Sequence, residues 1–182
     1  CPRCATPLSN FEVNQGYQDT QDPSITIRFK LLDEPKTSIL AWTTTPWTLP
    51  SNTGLAVGKD IPYVRVTLPD GEKLVVAKAL RRQVFSKTQD DVLRVEEQPV
   101  DELLGARYEP LFDYFSDRRA EGAFRVVAAD FVSTEDGTGI VHIAPGFGED
   151  DYALGQKEGL PALCPIDEDC RFTAEVPDFE GE

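Results

Sequence analysis

Two stretches hold most of the side chains in this sequence that could do chemistry. Residues 42–52 read WTTTPWTLPSN, and residues 137–152 read GTGIVHIAPGFGEDDY. In the first, Thr43, Thr44 and Thr45 put hydroxyls on both sides of an extended chain. Pro46 then denies an easy helical continuation, which leaves hydroxyls and backbone amides at a strand end. The bland alternative is that the threonines are β-branched strand formers and that Trp42 and Trp47 are packing residues. The second stretch contains His142, the sole histidine. On a strand it shares a face with Ile140 and Ala144 and interrupts an apolar wall, as a packed, hydrogen-bonded histidine also would. Beyond a Pro-Gly-Phe-Gly loop, Asp150 and Asp151 are favourable charges for a helix N-terminus, and one carboxylate there could clasp a substrate ammonium.

Other catalytic patterns are absent from the sequence: there is no GxSxG, HExxH, Walker loop or GxGxxG, and one histidine cannot build a multi-histidine metal site. Hydrolysis at such a site would use water directly rather than a covalent enzyme intermediate. The four cysteines fall into two pairs, Cys1 with Cys4 in CPRC and Cys164 with Cys170 in CPIDEDC. Two thiolates at CxxC spacing can grip a tetrahedral ion, but a closed site needs four ligands and the second pair is spaced differently. Cys1 and Cys4 therefore read as half of a zinc knuckle completed elsewhere, with a site closed inside the chain as the alternative.

These residues need a sheet to position them. Short β-type runs punctuated by Gly, Pro and Asp dominate. Strands are expected at 25–29, 38–43, 63–68 and 73–77, the last two joined as a hairpin through Pro69-Asp70-Gly71-Glu72. Further extended segments are expected at 92–95, 100–104, 124–132 and 140–144, and helices at 78–86 and 149–158. Residues 172–182 read as a polar, irregular tail. Strands and helices do not alternate regularly, so the expected class is α+β and β-rich, a curled or barrel-like mixed sheet with a few covering helices.

Length and charge bound the rest. The 182 residues suit one core-bearing domain, and no apolar run approaches the roughly 18 residues needed to span a bilayer. The chain begins at Cys1 and contains no Met, so it is expected to be a fragment or a processed product. With 18 basic and 32 acidic residues its formal charge is −14, which disfavours a free-standing nucleic-acid binder.

Taken together, WTTTPWTLPSN and GTGIVHIAPGFGEDDY resemble the editing insertion of class I isoleucyl-tRNA synthetases, with the valyl and leucyl enzymes as close relatives. Those relatives typically carry an arginine where Thr45 stands, so the triple threonine and Trp47 point to the isoleucyl branch. The opening CPRCATPLSNFEV also resembles the start of that insertion. The resemblance implies an editing domain over residues 17–175, an N-terminal connector at 1–16 and a C-terminal connector at 176–182. It implies hydrolysis of the valyl ester on the 3′ end of tRNA(Ile), with valyl-adenylate as a further substrate, and exclusion of isoleucine by size. One methylene is worth only roughly 1 to 3 kcal/mol in a hydrophobic pocket, a figure for which isoleucyl-tRNA synthetase is itself the standard example, and the resemblance therefore implies a second sieve.

By the same resemblance, Asp151 would bind the α-ammonium and Thr43, Thr44 and Thr45 would position the terminal adenosine, the ester carbonyl and the attacking water. Asn52 would support that shell, His142 would face the amino-acid side chain and set the size limit, and Trp42 and Phe147 would complete the substrate contacts. Cys164 and Cys170 lie outside the motif. The expected partners are tRNA(Ile) carrying valine and the catalytic domain of the same polypeptide, in the cytoplasm and with no membrane. No cofactor is expected in this domain; ATP and zinc belong to the parent enzyme. The rival readings are valyl-tRNA synthetase editing of threonyl-tRNA, and a noncatalytic tRNA-docking or zinc-ribbon module.

Overall fold

The computed structural model describes residues 6–15, 23–86 and 94–182. It divides into two compact units, one of residues 24–164 and one formed by the two terminal segments. Cys1 and Cys4 lie outside the described residues.

The larger unit is built on one mixed eight-stranded sheet, curled on itself, with few helices, the class expected from the pattern of short strands. Its strands are β1 (Ile25–Lys30), β2 (Thr37–Thr43), β3 (Gly54–Val57), β4 (Tyr63–Thr67), β5 (Lys73–Ala77), β6 (Arg94–Gln98), β7 (Arg125–Ala128) and β8 (Ile140–Ile143). The hairpin forms as expected: β4 and β5 pair antiparallel with Thr67 opposite Lys73, and Gly71 supplies the positive φ of the turn.

Strand β2 organises the sheet. Its β1 neighbour runs antiparallel along six residues, Ile25 opposite Thr43 through Lys30 opposite Ser38. A strand has two edges, so β5 and β8 must share the other. β5 pairs parallel with residues 37–39 of β2, and β8 pairs parallel at Trp42–Val141. The sheet therefore changes partner along β2, and the change falls beside the threonine bend. Gly139 sits at this junction with φ +71, and a Cβ there would come within 2.3 Å of Ala77 Cβ. Only glycine fits that approach.

Buried side chains gather in clusters against the sheet. Leu40, Val64, Val66, Leu74, Val76 and Phe85 form one cluster, while Ala56, Val127, Ile143, Leu154 and Leu160 belong to another. Among the described residues the α-helices are α1 (Asn10–Asn14), α2 (Arg81–Val84), α3 (Val100–Leu103) and α4 (Glu149–Glu158); α4 spans the range expected from its sequence and ends at Gly159 in the left-handed conformation.

Several expectations are corrected. Residues 100–103 are not extended. Val100–Leu103 forms a short helix after Pro99, with Asp101 and Glu102 in its first turn, and Leu103 is buried. The helix expected at 78–86 is reduced to Arg81–Val84, flanked by turns. Only Arg125–Ala128 of the expected extended run at 124–132 is strand. Pro46 does not prevent helical geometry: Pro46–Ser51 is a 3₁₀ helix that begins at this proline, whose fixed φ suits a first turn and whose missing N–H is not needed there. β3 and the 3₁₀ segment Asp113–Glu121 were not anticipated at all. Of the expected strand at 92–95, residues 92 and 93 lie outside the described residues.

The terminal unit is mostly irregular, as expected of residues 172–182, but it is not featureless. Ser9 and Glu12 close a capping box on the five-residue helix Asn10–Asn14. Asp167 accepts the backbone N–H groups of Asp169 and Arg171, which shapes the turn at Cys170. Cys164 and Cys170 are exposed, free thiols.

Candidate active site

β2 and β8 run parallel, so the segments that follow them, residues 44–48 and 144–151, leave the sheet at the same end. Open sheets place their ligands beyond the carboxyl ends of parallel strands, where neighbouring chains diverge. A cavity of about 440 Å³ lies there. It is lined by Trp42 and Thr43 of β2 with Thr44, Thr45, Trp47 and Thr48 after it, and by Val141 and His142 of β8 with Ala144, Phe147, Gly148 and Asp151 after it. The structure thus brings Trp42, Thr43, Thr44, Thr45, His142, Phe147 and Asp151 to one cavity. Asn52 is buried just behind it.

The bend is held by its own hydroxyls. Thr43 Oγ1 accepts the backbone N–H of Thr45 at 3.0 Å and shares a hydrogen bond with Thr45 Oγ1 at 3.1 Å. Such a local turn diverts the chain from the strand and is typical of threonine side chains at strand ends. Thr43 is buried, while Thr44 and Thr45 are exposed. Trp47 is 61% exposed and stands at the rim.

On the opposite side, the Pro-Gly-Phe-Gly loop turns β8 into α4. Gly146 is required by space: a Cβ would lie 2.1 Å from the carbonyl oxygen of Leu163. Asp151 then falls in the first turn of α4, and its Oδ2 accepts the backbone N–H of Ala144 at 2.9 Å. Burial pushes its carboxyl above the ordinary aspartate range; the Ala144 N–H opposes that shift, and the neighbouring Asp150 adds to it. Among the described residues no cation pairs with Asp151, so a ligand ammonium would meet an uncompensated, half-buried anion.

His142 is 7% exposed, and both ring nitrogens have protein partners. Nε2 lies 3.0 Å from Thr48 Oγ1, and Nδ1 lies 3.5 Å from Asn52 Nδ2. Burial depresses its pKa to about 4, so at neutral pH the ring is uncharged. With both nitrogens engaged it has no free lone pair for a water, and its place in the cavity is that of a wall. The expected apolar wall is accordingly only part of the story, because both faces of β8 are covered: Ile140, Ile143 and Ala144 are buried and Val141 half-buried.

Sequence reasoning missed Thr48, Tyr108 and Leu55. Thr48 lies within WTTTPWTLPSN and was hidden by its more conspicuous neighbours. Leu55 is paired with His142 across β3 and β8. Tyr108 carried no local signal; it is fully buried and donates its hydroxyl to Asn52 Oδ1 at 2.7 Å across 56 residues of sequence.

Among the described residues no group of three or more His, Cys, Asp or Glu side chains could hold a metal ion, and no helix is long and apolar enough to cross a membrane.

No family model matches the chain. It is 54% identical over 179 residues to the isoleucine--tRNA ligase of Bdellovibrio bacteriovorus, covering 98% of this chain and 17% of that enzyme. The chain thus spans about a sixth of that relative's length. Among solved structures, the crystal structure of GlLeuRS-CP1 superposes with a TM-score of 0.59 at 22% identity, over 74% of this chain and 60% of that one. The P. knowlesi cytosolic leucyl-tRNA synthetase editing domain gives a TM-score of 0.57 at 15% identity, over 79% and 64%. At such low identities the similarity to these two structures is one of fold.

Proposed function

Because the chain belongs to the isoleucine--tRNA ligase family and has the fold of a synthetase editing domain, we propose that it hydrolyses valine wrongly esterified to tRNA(Ile). Valyl-adenylate is a second substrate in this reading, and isoleucine is refused by size. The observation that carries it is the single cavity shared by the threonine bend, His142 and Asp151.

Each part has a physical role. An aminoacyl ester carries an α-ammonium beside a reactive carbonyl. Asp151, half-buried and without a protein cation, is suited to take the ammonium through a charge-assisted hydrogen bond. That fixes the carbonyl against the bend, where the hydroxyls of the exposed residues Thr44 and Thr45 and nearby backbone amides can orient the ester and a water. The side chain is then directed at the wall formed by His142. Positioning of this kind supplies much of the rate enhancement in sites that lack a strong base. His142 is not that base, since both nitrogens are engaged and its proton affinity is low. The ribose hydroxyl next to the ester is the proton acceptor most at hand.

The tRNA partner, the ATP-dependent ligation domain of the same polypeptide and a cytoplasmic setting follow from the same reading. With a charge of −14, this chain requires tRNA to be held chiefly by other parts of the enzyme. The reading is tested by calorimetry with non-hydrolysable 3′-valyl- and 3′-isoleucyl-adenosine analogues. Valyl should bind and isoleucyl should not; equal affinities would remove the size sieve.

A further inference from the structure

Behind the cavity wall runs an unbroken chain of buried side chains. Tyr108 donates its hydroxyl to Asn52 Oδ1 at 2.7 Å. Asn52 Nδ2 donates to the carbonyl of Gly54 at 2.8 Å and faces His142 Nδ1 at 3.5 Å. His142 Nε2 meets Thr48 Oγ1 at 3.0 Å, and the Thr48 hydroxyl is 2.9 Å from the carbonyl oxygen of Thr45. The last group belongs to the threonine bend itself.

Only one assignment of protons satisfies every contact. A carbonyl cannot donate, so the single Thr48 proton goes to Thr45 and Thr48 Oγ1 must accept from His142. The proton is then on Nε2, and Nδ1 is the acceptor facing Asn52. A proton on Nδ1 instead would confront the Asn52 N–H and pull Thr48 away from Thr45. Flipping the Asn52 amide would set its oxygen against the Gly54 carbonyl. The Gly54 carbonyl, which can only accept, excludes that flip; the Tyr108 hydroxyl holds the oxygen of the amide so oriented, and its ring is itself fixed edge-on between Phe29 and Phe124, with centroids 5.2 and 6.1 Å away.

The geometry points to Tyr108 and Thr48 as positioning residues that lock His142 as the Nε2–H tautomer and tie the size-limiting wall to the bend that holds the ester. The role in selectivity rests on the reading of the cavity as a valyl-ester site; the tautomer does not. A ring so held cannot tilt to admit a longer side chain without breaking buried hydrogen bonds.

His142 is the sole histidine, so selective ¹⁵N-histidine labelling of the chain gives one pair of ring resonances. The wild-type chain at neutral pH should show the proton on Nε2. Tyr108→Phe keeps the ring contacts, and it should move both resonances toward a tautomer average. Thr48→Val should do the same and lower the valyl-to-isoleucyl ester hydrolysis ratio roughly fivefold, the worth of one neutral hydrogen bond. Thr48→Ser should restore both. A wild-type proton on Nδ1, which needs no variant to detect, overturns the proposal. So does a Tyr108→Phe or Thr48→Val chain whose ring resonances match the wild type. If the Nε2–H signal and its sensitivity to the variants stand while neither ester is hydrolysed, the relay holds and the ester reading falls.

Discussion

The backbone N–H of Ala144, just past the end of β8, is donated to Oδ2 of Asp151 in the first turn of α4, at 2.9 Å. Seven residues apart, the two clasp the Pro-Gly-Phe-Gly loop and fix the carboxylate at the cavity, while Oδ1 makes no hydrogen bond among the described residues. Asp151→Asn keeps the shape and removes the charge. The expected outcome is a loss of affinity for a valyl-adenosine analogue of about 10- to 100-fold, the worth of a charged hydrogen bond, with the unfolding midpoint little changed. Calorimetry and urea titration on the same samples check both.

His142→Ala should admit the longer side chain. The valyl-to-isoleucyl ester hydrolysis ratio is expected to fall by about tenfold or more, as a methylene-sized restriction is lifted. An unchanged ratio would mean that other residues set the limit.

The depressed pKa of His142 links stability to pH. In the folded chain the ring stays neutral down to about pH 4, whereas in the unfolded chain it takes up a proton near 6.5, the ordinary histidine value. Between those values the unfolded state binds more protons, so stability falls as pH is lowered from 6.5 to about 4. The contribution is fully present above that window and amounts to about 3 kcal/mol. Asp151, whose carboxyl is shifted upward, acts in the opposite sense at the acid end. Comparing urea unfolding of wild type and His142→Gln across pH isolates the histidine, and the variant should show the shallower slope.

Gly146→Ala places a methyl group against the Leu163 carbonyl, which is backbone and cannot move aside cheaply. A destabilisation of about 1 to 3 kcal/mol is expected, together with weaker ligand binding as the loop shifts. The urea midpoint and the analogue titration report the two effects separately.

What was legible in the sequence was whatever its local pattern encodes. The hairpin announced itself through Asp70-Gly71, α4 through its acidic first turn, and β2 and β8 through their apolar runs. Those elements place the threonine bend, His142 and Asp151 at one cavity, so most of the candidate site could be named beforehand. β3 could not be found, because Gly54–Val57 is short, starts on a glycine and is buried throughout, which leaves no alternation to detect. Tyr108 and Thr48 escaped for a different reason: their importance lies in hydrogen bonds made across the fold, and no spacing in the chain reports that. Residues 100–104 were misread because five residues are too few to show a period, and the helix-start signal of Pro99 followed by Asp101 and Glu102 was not weighed.

The most direct measurement is hydrolysis of valyl- and isoleucyl-tRNA(Ile) by an isoleucine--tRNA ligase carrying this segment, followed at equal concentrations. Deacylation of the valyl ester with the isoleucyl ester spared, and loss of the valyl activity in Asp151→Asn, is the predicted result. Equal deacylation of both esters, or full valyl activity in Asp151→Asn, would contradict the account.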